Sequence, residues 1–179
     1  MNLWRVALLI ATTAWLAGNV LLIVLAPVLF QHAPGQTHGG GHDFVSRFAA
    51  GVVFGDCIRV WSIGVTYSLL PLTLISGVAI SLHALISGAK ARCCLWLVLL
   101  ASVALLHFWS ESVIMTLNQL LPDLLAGRTG GERWSEFQQL HRESRAAVTA
   151  ESAMALVLLL AAAIALLRPG KASATANDR

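Results

Sequence analysis

Residues 93–117 read "CCLWLVLLASVALLHFWSESVIMTL". The stretch contains no Gly, Pro, Lys, Arg or Asp. As a helix rising 1.5 Å per residue it is about 37 Å long, more than the roughly 30 Å of hydrocarbon in a bilayer. It reads as a transmembrane helix, yet it carries His107 and Glu111 inside it. Four residues apart, these two share one helix face, and an ionisable residue inside a span normally faces a partner or water rather than lipid. This one stretch therefore sets both the fold class and the place to look for function.

Three further stretches have the same character. Residues 3–30, "LWRVALLIATTAWLAGNVLLIVLAPVLF", hold one charge, Arg5. This run is too long for a signal-peptide core of about 7 to 15 residues, and no clean A-x-A site follows it, so it reads as an uncleaved first helix. Residues 61–86, "WSIGVTYSLLPLTLISGVAISLHALI", form a second span, in which Pro71 is expected to kink the helix. Residues 146–167, "AAVTAESAMALVLLLAAAIALL", form the last. The composition agrees: 57% of the 179 residues are hydrophobic and 12% charged, and the mean hydropathy is +0.74. These values lie outside those of a soluble domain. The expectation is all-α: one integral membrane four-helix bundle over 1–168, with spans at about 4–29, 61–86, 93–117 and 146–167, and a disordered tail over 169–179.

Orientation follows from Lys and Arg beside the short loops. Lys90 and Arg92 sit in a very short connection, and Arg5, Arg168 and Lys171 fall on the same side. Both termini are thereby expected in the cytoplasm, with 30–44, "FQHAPGQTHGGGHDF", and the segment Asn118–Arg145 facing outward. Residues 43–60 run without a breaker into the second span, and 136–152 into the fourth, so both helices should extend beyond the membrane on the outer side. Within the former, Gly51 and Gly55 make a G-x-x-x-G spacing that allows close helix packing. Within the latter, Phe137, His141, Ser144, Val148 and Glu151 repeat at helical steps along one stripe.

Three segments in this order, "APVLF" (26–30), "AAGVVFG" (49–55) and "FQQLHRES" (137–144), resemble the transmembrane-protein-205-like family, a domain of unknown function. The resemblance runs from about Arg5 to Leu167. It implies a small four-helix integral membrane protein and brings no established chemistry. The chain departs from the family pattern in its His-rich first loop and in Glu111.

The ionisable residues in or beside the spans are Asp56, Arg59, His107, Glu111 and Glu151, with His141 on the stripe that leads to Glu151. An up-and-down topology places them together as a polar cluster in the outer half of the membrane, a candidate site for a proton, a cation or a polar ligand. The plainer reading makes Arg59 a counter-charge for Asp56, Glu111 or Glu151 that locks helix register, and its loss should then be damaging. Other chemistries fit less well. His83 and His107 lie at depths too different for bis-His haem. Cys93 and Cys94 are adjacent rather than C-x-x-C, and Cys57 has no partner for thiol exchange. No nucleophile sits beside a base in the hydrolase manner, with Ser110 and Ser112 pointing away from Glu111's face. His32, His38 and His42 are loosely spaced among four glycines and one proline between residues 33 and 43, which favours a linker over a metal site. They remain weak metal candidates.

Three function classes follow. The first is a non-enzymatic structural or accessory membrane protein. The second is a small transporter or permeation component for protons, metal ions or polar solutes, working as a homo-oligomer because four helices enclose little room. The third is an envelope metal-handling protein using the outer histidines. The expected partner is the lipid bilayer, with no nucleic acid and no cofactor.

Overall fold

The computed structural model describes residues 2–31, 42–125 and 131–167, with side chains for 3–28, 51–122 and 132–167. Helix α1 covers Asn2–Gln31, α2 His42–Gly64, α3 Leu70–Ile86, α4 Lys90–Leu125 and α5 Gly131–Leu167. A single π turn, Val65–Leu69, joins α2 to α3, so the two form one continuous rod. There are thus four rods, and each has a segment long and apolar enough to cross a membrane: Leu3–Val28, Gly51–Ile86, Lys90–Pro122 and Glu132–Leu167. The chain is an all-α membrane helical bundle, as the apolar runs require.

The rods pack in a ring, α1 against α3 and α5, and α4 against α3 and α5. One connection is fully described. After α3, Ala89 N–H donates to Ala84 O (2.8 Å) and Gly88 N–H to Leu85 O (2.9 Å). This is a Schellman stop, and Gly88 takes its left-handed position at φ +75°. A side chain there would be strained, which is why "SGAK" reverses the chain in so few residues.

The interior is apolar, with Leu8, Trp15, Val65, Leu100, Val103 and Leu158 at its centre. The exterior is apolar as well: Leu21, Val60, Leu105 and Leu160 are more than half exposed. In water such a surface would be an aggregation patch; in hydrocarbon it is the solvent-facing side. Packing inside lipid therefore depends on close approach and on polar contacts between rods. Ala147, Ala155 and Ala162 supply the close approach on α5, all fully buried. Gly55 supplies it on α2, where a Cβ would lie 3.0 Å from Asn118 Oδ1 and 3.5 Å from Leu121 Cδ1 of α4.

Two boundaries differ from the sequence reading. The expected kink at Pro71 takes the form of the π turn just before it. Proline lacks an N–H and its ring crowds the carbonyl four residues back, here that of Tyr67, and the widened turn accommodates both. Helix α4 runs on to Leu125, with Pro122 in its last turn. Most of the outward segment 118–145, of which the sequence reading assigns 136–145 to the fourth helix, is therefore helical. The His-rich loop (His32 and His38) and the tail 169–179 lie outside the described residues, and His42 opens α2 with its side chain outside them.

Candidate functional site

The π turn holds Thr66, a half-buried residue that faces α4. Its Oγ1 lies 2.9 Å from Nε2 of His107 on α4 and 2.9 Å from the carbonyl of Ser62 one turn back. The other ring nitrogen of His107, Nδ1, is 3.1 Å from Oε1 of Glu151 on α5. That same oxygen accepts a hydrogen bond from the indole N–H of Trp15 on α1 at 2.8 Å. Trp15 also meets the His107 ring edge-on, with centroids 5.3 Å apart and an interplanar angle of 86°. One connected group of side chains thus draws on all four rods. His107 is 2% exposed and Glu151 5%.

A second strand of the network runs beside the first. Trp61 N–H donates to Asn19 Oδ1 (2.8 Å), and Asn19 Nδ2 donates to Ser152 Oγ (3.1 Å). Ser152 returns its own proton to Val148 O (2.7 Å). Glu111, half-buried on α4, reaches Thr66 Oγ1 at 3.4 Å, a long contact on the edge of the network. Trp15, Thr66, His107 and Glu151 each sit near the middle of their candidate spans. In hydrocarbon, where water offers no alternative, interhelical hydrogen bonds of this kind hold helices in register.

The six residues expected to cluster separate into three places. His107, Glu111 and Glu151 meet, joined through Thr66. Asp56 and Arg59 do not join them: they pair with each other at 3.2 Å on the outside of α2, with side chains 61% and 52% exposed respectively. Three residues apart, they satisfy one another on their own helix, so Arg59 is no counter-charge for the buried acids. His141 is exposed and stacked on Phe137, with ring centroids 6.0 Å apart and 12° between planes, and Phe137 is stacked in turn on Trp134. Ten residues before Glu151, His141 stands about 15 Å up the helix and belongs to an aromatic ladder rather than to the junction. The cluster is also nearer the middle of the rods than the expected outer half. Since exposed ion pairs contribute less than about 1 kcal/mol, Arg59→Ala should shift the melting temperature of the purified protein by no more than about 4 °C. A large loss would return Arg59 to the junction.

Five junction residues escape a search for ionisable groups: Trp15, Asn19, Trp61, Thr66 and Ser152. The first two had a signal. Trp favours the membrane interfaces and Asn is costly in hydrocarbon, yet both sit four apart in the middle of an apolar span.

Among the described residues no three His, Cys, Asp or Glu side chains converge as a metal-binding group. His83 is exposed at the end of α3, whereas His107 is buried at mid-bundle. Cys57, Cys93 and Cys94 are all free thiols. Comparison with family models, with curated proteins and with solved structures finds no match.

Proposed function

We propose that this chain is a non-enzymatic integral membrane protein with a structural or accessory role, in which the mid-bundle junction fixes the register of the four rods. The resemblance to the transmembrane-protein-205-like family is compatible with that role. The location proposed is a bacterial inner membrane with both termini cytoplasmic, on the strength of the Lys90 and Arg92 loop. One observation carries the reading. The donors of the junction find acceptors within it, from Trp15 through Glu151, His107 and Thr66 to the carbonyl of Ser62. Such closure suits a fastening better than a ligand pocket, which would leave polar atoms free for the guest.

A second reading, permeation of protons or small polar species, is favoured by a different observation. Thr73 and Ser76 lie on the buried face of α3, inward of Thr66, and neither hydroxyl has a hydrogen-bond partner among the described residues. Buried hydroxyls in that condition are places where water is held.

The two readings separate in proteoliposomes. On the first, vesicles containing the protein leak protons no faster than empty ones, and Glu111→Gln changes melting alone. On the second, a proton leak appears that Glu111→Gln abolishes. Reporters fused after Arg168 and near Gly130 test the orientation: cytoplasmic and external signals respectively are expected, and the reverse pattern would overturn it.

A further inference from the structure

We propose that Glu111, Thr66, His107 and Glu151 form a buried proton-binding relay, in which one added proton reverses the hydrogen bond between Thr66 and His107. The proposal goes beyond register locking and stands on hydrogen counting. Thr66 has a single hydroxyl proton and three neighbours: Ser62 O at 2.9 Å, His107 Nε2 at 2.9 Å and Glu111 Oε1 at 3.4 Å. It can donate to only one of them. The 3.1 Å contact between His107 Nδ1 and Glu151 Oε1 needs a hydrogen between the two atoms whatever else happens.

Two proton counts satisfy these distances. With one proton on the His107–Glu151 pair, that proton lies between Nδ1 and Oε1. Nε2 is then bare, and Thr66 must donate to it. With a second proton, Nε2 carries a hydrogen and becomes a donor. Thr66 now accepts from Nε2, and its hydroxyl turns to the carbonyl of Ser62. Every heavy atom keeps its place, and each buried polar atom keeps a partner. A network that fits only one proton count strands a buried polar atom at the other. This one fits both, which is the property a reversible proton site needs.

The access route is equally specific. Glu111 is only half-buried and faces Thr66 from one turn beyond His107. A proton on the Glu111 carboxyl passes to Thr66 Oγ1 as the hydroxyl's own proton passes to His107 Nε2. Glu111 is left as a carboxylate, Thr66 is neutral again and His107 has gained one positive charge, so the total charge is unchanged. The groups facing the pair from the other rods do not titrate: Trp15 and Asn19 on α1, Trp61 and Thr66 on the second rod, Ser152 on α5. Asp56 and Arg59 are mutually paired outside α2. Arg5 lies ten residues before Trp15, about 15 Å along α1, and Arg145 is six residues before Glu151 on the exposed face of α5.

Nitrogen-15 NMR of histidine-labelled protein in lipid nanodiscs reads the ring directly, with the His107 signals assigned by their loss in His107→Gln. As the sample is acidified over the range in which the bundle stays folded, Nε2 of His107 should pass in one reversible step from bare acceptor to protonated donor while Nδ1 stays hydrogen-bonded. Thr66→Val takes the hydroxyl from both forms, a donor from the bare ring and an acceptor from the charged one, and because the charge-assisted bond is the stronger it should weaken proton uptake about tenfold. Thr66→Ser should restore it. Glu111→Gln should slow exchange between the two forms. If Nε2 of the parent protein keeps one protonation state across the range in which the bundle stays folded, the relay is wrong. It is equally wrong if Thr66→Val leaves the titration unmoved. Register locking is judged separately, by melting, so either idea can fail without the other.

Discussion

Glu151→Ala should destabilise the bundle by about 2 to 4 kcal/mol, among the largest effects of any single truncation. The carboxylate oxygen Oε1 accepts from Trp15 Nε1 at 2.8 Å and meets His107 Nδ1 at 3.1 Å, and all three side chains are buried. Alanine strands two donors at once, each at about 1–3 kcal/mol. The lower end of the range is set by membrane interhelical bonds, which average nearer 0.6 kcal/mol because the separated helices also find partners. Glu151→Gln is the discriminating control. Its amide oxygen can take both bonds that Oε1 takes now, so the loss should fall below about 1.5 kcal/mol. Reversible unfolding of the purified protein in mixed micelles measures both. An alanine variant within about 0.5 kcal/mol of the parent would mean that the junction does not hold the rods together.

Much of this architecture was legible in the sequence, because lipid imposes a simple rule. A run such as 93–117 has no alternative to a helix, since an unbonded backbone in hydrocarbon costs several kcal/mol per group. His107, Glu111 and Glu151 were visible as the exceptions to that rule, and their meeting follows from an up-and-down chain. Arg59 was misplaced for a physical reason: helical spacing says that it shares a face with Asp56, but not whether that face turns inward or outward. The pair is self-sufficient, and nothing then draws it into the bundle. His141 was misplaced because the stripe that ends at Glu151 is real, but ten residues further out its exposed ring stacks on Phe137 of the same helix and not on the other rods. Thr66 was beyond sequence reasoning, because its position depends on a π turn. Pro71 announces a disturbance without fixing its form, and the extra residue in that turn decides which side chain faces His107.

The glycines give the sharpest test of the packing, since here the usual sign of a substitution should reverse. In an ordinary exposed helix, Gly→Ala stabilises by roughly 1 kcal/mol. Gly64 has nothing within 4 Å of the Cβ it would gain, so Gly64→Ala should follow that pattern. Gly18 is the opposite case. A Cβ there would fall among the ring atoms of Trp61, closer than van der Waals contact permits. The indole packs against Gly18 of α1, and from that position its N–H reaches Asn19 Oδ1 at 2.8 Å. Gly18→Ala must displace the ring, and the Trp61–Asn19 bond goes with it. Asn19 is then held only by its contact to Ser152, so the disturbance passes from the α1–α2 seam to α5. Overpacking at about 1–3 kcal/mol and a stranded amide oxygen at about 1–3 kcal/mol together predict a loss of roughly 3 kcal/mol. Trp61→Leu made alone should be damaging. Combined with Gly18→Ala it should recover part of the alanine penalty, because the two changes compete for one space. Additive losses in that double variant would place the Trp61 ring elsewhere and remove the α1–α2 seam as a support of the junction.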